Sequence, residues 1–270
     1  MEKLLDEIES YWSTRTEGYS EVNHKELAGT QKNAWLKVLT SQFPDKPKEE
    51  IRILDIGTGP GFFPVILAEA GYHVDAVDYT EGMLEKAKEN AGDLCRNIRF
   101  LRMDAQKLDF EDNTFDVVIS RNLTWNLEHP DVAYREWVRV LKVGGRLLNF
   151  DANWYGYLYE EEQRKAYEND RKNVENNSLD DHYLCTDIER MERIALQVPL
   201  SKISRPQWDV KTLREAGLLG IHTDTEIWKT VWSEEERLNY QSTPMFMVTG
   251  VKPDHFLNLP VAAGEKTEGF

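Results

Sequence analysis

The sequence predicts a doubly wound α/β fold with a mostly parallel seven-stranded sheet, an N-terminal helical cover and an inserted lid. Two observations lead to this prediction. Short apolar runs alternate with helix-period segments through the middle third of the chain, which is the pattern of βαβ units. The alternation stops after Asp151, where a segment rich in Tyr, Glu, Lys and Asn precedes a return of the core pattern near Trp208.

The first five predicted strands are apolar runs of strand length at 51–56, 72–77, 97–103, 115–120 and 146–150. Helices are predicted to begin at Phe62, after the N-cap residue Thr80, and at Pro130, because these residue types favour helix starts. The first of these helices is expected to stop at Gly71, where positive φ is favoured.

Two late strands, at 221–227 and 245–251, are close enough in sequence to form an antiparallel pair at the sheet edge. The expected organisation has five parts: a cover (1–50), a core (51–152), a lid (153–205), the end of the core sheet (206–252) and a loosely held tail (253–270).

Composition narrows the classes of partner. The chain has 48 acidic and 33 basic residues and a formal charge of −15, a field that repels a phosphate backbone, so no nucleic-acid partner is expected. Residues 1–20 lack the apolar run of a signal peptide and no later run reaches membrane-span length, which predicts a cytoplasmic protein with no membrane association. Cys95 and Cys185 lack the paired spacing of a zinc site, and the acidic lid residues lack His or Cys partners, so no metal is predicted.

A glycine turn lies between the first strand and the first core helix. Gly57, Gly59 and Gly61 are spaced G-x-G-x-G, whereas a dinucleotide fingerprint requires its third glycine where this chain has Phe62. Asp55 stands two residues before the first glycine, where a carboxylate opposes a pyrophosphate but suits a ligand that carries an ammonium and a sulfonium group. These details favour S-adenosylmethionine over NAD.

Asp78 ends the second predicted strand, 21 residues after Gly57. At this position a carboxylate can accept hydrogen bonds from both ribose hydroxyls of a nucleoside ligand. NAD proteins share this feature, so it does not discriminate between the two cofactor classes.

About 100 consecutive residues resemble the class I S-adenosylmethionine-dependent methyltransferases, in particular the branch that modifies small metabolites. The resemblance runs through the glycine turn, the acidic turn at 77–84, the turn Met103-Asp104-Ala105, the strand at 115–120 and the helix-turn-strand at 138–150. It implies a Rossmann-like methyltransferase fold, S-adenosylmethionine as cofactor and S-adenosylhomocysteine as product. The implied cofactor-binding residues are Asp55, Gly57, Thr58, Gly59, Gly61, Asp78, Tyr79, Met83, Asp104, Ala105 and Arg121, with Tyr19 as a contact from the N-terminal segment.

The acceptor site is expected beyond the carboxyl ends of the strands, where open parallel sheets bind ligands. The candidate substrate-binding residues follow the fourth and fifth strands: Asn122, Trp125, Asn153, Trp154 and Tyr155. The candidate catalytic residues are Asp151, one step after an apolar strand, and His129 as a possible base.

The predicted function is methyl transfer to an oxygen, nitrogen or sulfur atom of a small-molecule acceptor by a monomer or homodimer. Two alternatives remain at this point. One is a noncatalytic S-adenosylmethionine-binding module. The other is an NAD-type oxidoreductase, which Phe62 and Asp55 disfavour.

Overall fold

Seven strands form one sheet in a computed structural model that describes residues 4–183 and 186–254. The strands are β1 (Arg52–Ile56), β2 (His73–Asp78), β3 (Ile98–Arg102), β4 (Phe115–Arg121), β5 (Leu141–Asp151), β6 (Leu219–Asp224) and β7 (Phe246–Val251). Their order across the sheet is β3-β2-β1-β4-β5-β7-β6. The first five are parallel, and β7 is antiparallel to both of its neighbours. The doubly wound, mostly parallel fold is therefore confirmed.

Ten α-helices accompany the sheet in the described residues: α1 (Leu4–Ala28), α2 (Gln31–Thr40), α3 (Phe62–Glu69), α4 (Glu81–Ala91), α5 (Pro130–Val140), α6 (Glu161–Asn176), α7 (Ile188–Ala195), α8 (Gln207–Glu215), α9 (Trp228–Val231) and α10 (Glu234–Asn239). The predicted helix starts at Phe62, Thr80 and Pro130 agree with α3, α4 and α5. None of these ten helices combines the length and the apolar character needed to cross a membrane.

Both faces of the sheet are buried, as parallel strands require. Successive residues of β1 point to opposite faces: Ile53 packs with Trp35 and Phe63 on one side, and Leu54 packs with Trp137 on the other. This double burial explains why β1 and β4 are continuous apolar runs in sequence.

Helix α1 and the lid helices lie over the carboxyl-end side of the core. Glu9 on α1 accepts a hydrogen bond from Arg102 at 2.6 Å, and Glu17 pairs with Lys86 at 3.0 Å. Tyr11 of α1 joins an apolar cluster with Trp125 and with Met191 of α7. The cover and the lid therefore contact each other as well as the core.

The structure differs from the sequence prediction mainly near the last strands. β6 ends at Asp224, not at Ile227. As the sequence predicts, it pairs antiparallel with β7 at one edge of the sheet, and β6 is the outermost strand there. The intervening helices α9 and α10 were not predicted, although Ser233 and Glu236 form a capping box that starts α10. The predicted tail beyond residue 254 lies outside the described residues, as does Cys185.

Candidate active site

The glycine turn follows β1 and has its backbone amides fully used. The amides of Gly57 and Thr58 both donate to Val77 O, at 2.9 and 3.0 Å, and the amide of Gly59 donates to Asp78 Oδ2 at 2.8 Å. The Gly61 amide donates to Thr58 O at 3.0 Å. These four amides therefore donate to other protein atoms and are not available to an anionic ligand. This geometry disfavours a bound pyrophosphate.

Gly57 cannot be replaced without strain. Its φ is +70°, and a Cβ at this position would lie 2.7 Å from Leu123 Cδ2. Because Leu123 follows β4, this close approach brings the loops after β1 and β4 together at the switch point of the sheet.

A cavity lies beside this turn, and we call it the glycine-turn cavity. Its lining includes nine of the predicted cofactor residues, namely Tyr19, Gly57, Gly59, Asp78, Tyr79, Met83, Asp104, Ala105 and Arg121. The other three, Asp55, Thr58 and Gly61, do not line it. The resemblance thus identified a set of residues that the fold brings together from five separate segments.

Asp78 is fixed at the mouth of β2 by backbone donors. Its Oδ1 accepts from the Thr80 amide at 2.9 Å and its Oδ2 from the Gly59 amide. Burial raises the pKa of the Asp78 carboxyl, although these backbone hydrogen bonds partly oppose the rise. Each oxygen has further acceptor capacity, so the carboxylate can still bind a ligand in the cavity.

Asp104 and Ala105 form the opposite wall of the glycine-turn cavity. Asp104 Oδ1 accepts from the amide of Gln106 at 2.8 Å, and Ala105 O accepts from Trp137 Nε1 at 2.9 Å. The buried Asn126 also lines this wall, and its Oδ1 has no hydrogen-bond partner among the described residues. This wall therefore presents acceptor oxygens to whatever donor occupies the cavity.

Asp55 and Thr58 lie beneath the turn, in a small pocket shared with Tyr19, Asn23 and Arg121. Burial raises the pKa of Asp55 from 3.8 to about 7, against the opposing effects of Thr58 and Arg121. Asp55 is 2% exposed, so its carboxyl group has no direct access to solvent. A positive charge bound at the glycine turn would therefore lower its pKa.

Gly61 has a packing role. A Cβ at Gly61 would lie 3.0 Å from the Cβ of Ala87 on α4, and its φ is +91°. The third glycine therefore allows α3 and α4 to pack closely.

A second and larger cavity, which we call the aromatic cavity, is enclosed by α1, the lid and the segment around α10. Its volume is about 1460 Å³, larger than the roughly 300 to 1000 Å³ of typical small-molecule sites. Its aromatic lining residues are Tyr11, Trp12, Tyr19, Trp125, Trp154, Tyr155, Tyr167, Tyr183, Trp232 and Tyr240. Three predicted substrate residues, Trp125, Trp154 and Tyr155, are among them.

The two cavities meet at four shared lining residues, Trp12, Tyr19, Arg121 and Asn122. Tyr19 reaches over the turn, since a Cβ on Gly59 would lie 3.3 Å from its Cε1. Asn122 has a φ of +56°, which is uncommon outside glycine, and its buried Oδ1 has no partner among the described residues. A strained residue with an unpaired acceptor at this junction is typical of a functional site.

Arg121 forms a buried ion pair at the junction. Its Nη1 and Nη2 donate to the two carboxylate oxygens of Glu26 at 2.7 and 3.0 Å, and its guanidinium lies 4.7 Å from the Phe62 ring centroid. Burial by itself lowers the pKa of Arg121, but Glu26 holds it above its ordinary value. Arg121 is therefore a fixed cation whose charge is largely used within the protein.

Asp151, the predicted catalytic acid, lies away from the cavities described above. Asp151 is 0% exposed and lines none of the three described cavities. Its oxygens accept from the Trp125 amide, Trp154 Nε1 and the Ala152 amide, and Arg205 Nη1 donates to it at 2.6 Å. This carboxylate is a structural centre that holds the loops after β4 and β5.

Asn153 belongs to the same structural centre and does not line the aromatic cavity. Its Nδ2 donates to Arg205 O at 3.1 Å, and its Oδ1 accepts from the Arg205 amide at 3.2 Å. Asn153, a predicted substrate-binding residue, therefore lies apart from the aromatic cavity, and both ends of its amide group are engaged by one backbone segment.

His129 is not placed to act as a base. It precedes α5 with an imidazole that is 62% exposed and lies 3.8 Å from the neighbouring Glu128, and it lines none of the described cavities. His182 lies instead at the aromatic cavity. Its Nδ1 is 3.0 Å from the Tyr240 hydroxyl and its Nε2 is 2.8 Å from Glu235 Oε1, so a hydrogen-bonded chain leads from the cavity to a half-exposed carboxylate.

Several lining residues were missed from the sequence, above all Glu26, Asn126, Glu236 and Tyr240. Glu26 could have been found, because Tyr19, Asn23 and Glu26 share one face of α1. No local pattern connects α10 to the site, since its approach depends on tertiary packing.

Among the described residues, no group of three or more His, Cys, Asp or Glu side chains is arranged to hold a metal ion.

Comparisons with known proteins agree with this geometry. Residues 54–149 match the family model described as a methyltransferase domain. A demethylmenaquinone methyltransferase of Clavibacter sepedonicus is 41% identical over 98 residues, which cover 36% of this chain and 39% of that protein. A demethylmenaquinone methyltransferase of Renibacterium salmoninarum is 31% identical over 148 residues, which cover 55% of this chain and 60% of that protein.

A solved structure from Methanococcus maripaludis, of a protein assigned to the S-adenosyl-L-methionine-dependent methyltransferases, superposes with a TM-score of 0.59. The superposition covers 91% of this chain and 95% of that one at 20% identity, a level that shows a shared fold. The chain spans between 39% and 60% of the length of the two curated relatives.

Proposed function

We propose that residues 54–149, which match the methyltransferase-domain family model, form a class I S-adenosylmethionine-dependent methyltransferase domain and that the whole chain methylates a small-molecule acceptor. The observation that carries the proposal is the junction of two cavities. The glycine-turn cavity suits the cofactor, the aromatic cavity suits an acceptor, and they share Tyr19 and Asn122. Such a junction is where a methyl group would pass from one ligand to the other.

The residues of the glycine-turn cavity fit S-adenosylmethionine. Asp78 would accept from the ribose hydroxyls and Asp104 from the adenine amino group, while the unpaired oxygen of Asn126 offers a further acceptor. The ammonium and sulfonium charges suit a site with Asp55 beneath it. NAD fits poorly, because Gly57, Thr58, Gly59 and Gly61 have no amides left for its pyrophosphate.

When bound, S-adenosylmethionine supplies an electrophilic methyl group on a positively charged sulfur. The chain's own contribution is alignment and exclusion of water. Tyr19 and Trp12 of α1 close over the junction, and their rings lie 5.8 Å apart. Holding two reactants in line can provide roughly 7 to 11 kcal/mol of rate acceleration, so alignment by these side chains is the largest expected term.

An acceptor that loses a proton during methylation needs a route for that proton. The hydrogen-bonded chain Tyr240–His182–Glu235 provides one from the aromatic cavity. Burial raises the pKa of the Tyr240 hydroxyl well above its ordinary value, so we assign proton acceptance to His182 with Tyr240 as the connecting group. General-base assistance of this kind contributes roughly 10²- to 10⁴-fold in rate.

Calorimetric titration tests the proposal. S-adenosylmethionine and S-adenosylhomocysteine are expected to bind to the wild-type protein and NADH is not. Asp78→Asn should weaken both interactions about tenfold to a hundredfold, because a charge-assisted hydrogen bond contributes about 1.5 to 3 kcal/mol. Asp75→Asn is the matched control, since Asp75 lies on the same strand but binds Arg99 at the surface.

Turnover is then measured as S-adenosylhomocysteine release with a panel of amines, thiols, phenols and demethylmenaquinone. Release with any acceptor supports the enzyme. Tight cofactor binding without release across the panel would instead favour a noncatalytic S-adenosylmethionine-binding module. Binding of NADH in place of the other two ligands would refute the cofactor assignment.

A further inference from the structure

One face of α1 places polar side chains where an apolar stripe would be expected. Tyr19, Asn23 and Glu26 are spaced i, i+4 and i+7, and all three line the aromatic cavity. Asn23 is 3% exposed and Glu26 is 5% exposed. Burying polar groups is costly unless they are paired. Glu26 is paired with Arg121, but Asn23 Oδ1 has no partner among the described residues, so Asn23 indicates a ligand that donates a hydrogen bond to it.

The floor of the aromatic cavity has more negative than positive charge. Glu26 neutralises Arg121, and Asp181 pairs with Arg171 at 2.6 Å. Glu236 is an additional carboxylate at the same floor, close enough to Glu26 for the two charges to repel. Arg121 and Arg171 are therefore already paired with carboxylates. The negative charge of Glu236 is in excess of these two ion pairs.

One oxygen of Glu236 is available to a ligand. Its Oε2 accepts from Gln31 Nε2 and from the Ser233 amide at 2.8 Å. Its Oε1 accepts no hydrogen bond from the described residues. Burial, together with the neighbouring charge of Glu26, raises the pKa of Glu236. A bound cation would lower this pKa by stabilising the ionised carboxylate.

Two unpaired acceptors line the same cavity as this carboxylate. The Oδ1 atoms of Asn23 and Asn122 are buried and have no hydrogen-bond partner among the described residues, and both residues line the aromatic cavity. A ligand that satisfies Glu236, Asn23 and Asn122 must therefore bring hydrogen-bond donors.

The walls of the cavity suit a cation with an apolar body. Tyr240 makes edge contacts with Trp154, at 5.3 Å between centroids, and Trp125 packs against Tyr155 at 5.0 Å. The faces of such rings attract cations, whereas their carbon surface binds apolar groups. Arg15, Lys25 and Lys172 also line the cavity, the two lysines as exposed side chains. The arginines of the floor, Arg121 and Arg171, are already paired with Glu26 and Asp181.

Building on the proposed methyltransferase function, we propose that the acceptor is a small molecule with a protonated amine and an apolar or aromatic body. Glu236 Oε1 binds the ammonium group, Asn23 accepts a further N–H, and the ring cluster around Tyr240 holds the body. Before transfer the ammonium gives one proton to His182 through Tyr240. The free amine nitrogen then attacks the methyl carbon, and the N–C bond forms as the S–C bond breaks and S-adenosylhomocysteine leaves. Specificity for amines thus comes from α10, which lies about 180 residues beyond the glycine turn in the chain.

Three soluble probes of equal size class test this inference: 2-phenylethylamine, 2-phenylethanol and 3-phenylpropionate. Their affinities are measured by ligand-observed NMR with the protein saturated by S-adenosylhomocysteine, so that cofactor groups already occupy their own acceptors. The wild-type protein should bind the amine at least about tenfold more tightly than the alcohol, which corresponds to about 1.4 kcal/mol, and the carboxylate most weakly.

Glu236→Gln removes the charge but preserves the capping box, since glutamine serves equally at this helix position. It should bring the amine and the alcohol to similar affinities. Glu234→Gln is the matched control, because Glu234 is an exposed residue of the same first turn, and it should leave the preference intact.

Equal binding of amine and alcohol by the wild-type protein would overturn the inference, as would a preference that survives in Glu236→Gln. The thermal shift caused by S-adenosylhomocysteine alone is recorded on the same samples. Absence of that shift would contradict the proposed methyltransferase function, whereas the probe ratios judge the amine site, so the two failures are distinguishable.

Discussion

Substitution of Asp55 by asparagine should stabilise the protein at alkaline pH and leave its stability unchanged at acidic pH. Burial raises the pKa of Asp55 from 3.8 to about 7. Between these two pH values the folded state binds more protons than the unfolded state, so stability falls as pH rises. Each tenfold change in proton affinity corresponds to about 1.4 kcal/mol, and the full loss above pH 7 is therefore on the order of 4 kcal/mol.

The Asp55→Asn variant lacks this titration and keeps a group that can hydrogen-bond to Thr58. Thermal unfolding is measured without ligand at pH 3, pH 5 and pH 9. The variant should match the wild type at pH 3, below both pKa values. It should exceed the wild-type Tm by roughly 3 °C at pH 5 and roughly 8 °C at pH 9, taking about 2 °C per kcal/mol. Asp116→Asn is the opposite control. Burial raises the pKa of Asp116, but Lys142 and Lys46 lower it below its ordinary value overall, so this variant should lose stability at neutral pH.

A Tm gain of the same size at pH 5 and pH 9 would refute the reasoning, because it would show that the gain does not arise from ionisation. No gain at pH 9 would refute it as well, since the buried carboxylate would then cost nothing. In a related measurement, S-adenosylmethionine binding near pH 7 should release protons from wild-type protein and not from Asp55→Asn, as read by calorimetry in buffers of different ionisation enthalpy.

Further predictions concern five other residues. Asp104→Asn should weaken cofactor binding about tenfold in calorimetry, through loss of a charge-assisted hydrogen bond. Gly57→Ala should destabilise the fold by about 1 to 3 kcal/mol in urea unfolding, because positive φ and the approach of Leu123 both oppose a Cβ. Asp151→Asn should cost about 1.5 to 3 kcal/mol in the same assay through loss of the charge-assisted hydrogen bond from Arg205, which keeps its ion pair with Asp209. His129→Ala should leave turnover unchanged, and a large loss would restore it as a base. Tyr240→Phe should lower turnover up to about a hundredfold without changing S-adenosylhomocysteine affinity.

The lining of the glycine-turn cavity was predictable because its signals are local. The glycine turn, Asp78 and Asp104 each follow a strand directly, and parallel strands bring their carboxyl ends together. Strand bounds were correct to within about two residues through β4, because buried parallel strands are mainly apolar. β5 begins at Leu141, five residues before the predicted start, because it includes the turn residues Gly144 and Gly145. The sequence did not predict the hydrogen bonds of the turn amides, because those donated to Val77 O depend on the pairing of β1 with β2.

The lining of the aromatic cavity was harder to predict because its residues meet only through tertiary packing. Asp151 looked like a reactive acid after a strand, but its partner Arg205 lies 54 residues later and has no local signal. Glu26 and Glu236 are separated by most of the chain and contribute to one cavity floor. Aromatic lid residues can either pack the lid or line a cavity, and sequence alone does not distinguish the two.

The position of β7 has a consequence for the order of assembly. This strand pairs with β5 from Arg146↔Val251 to Asp151↔Phe246 and also provides the pairing partner of β6. A nascent chain on the ribosome can therefore form the five parallel strands while residues 246–251 are still inside the exit tunnel. Until they emerge, the edge of β5 is open and β6 has no place in the sheet. We expect this interval to be when the new protein most needs a chaperone.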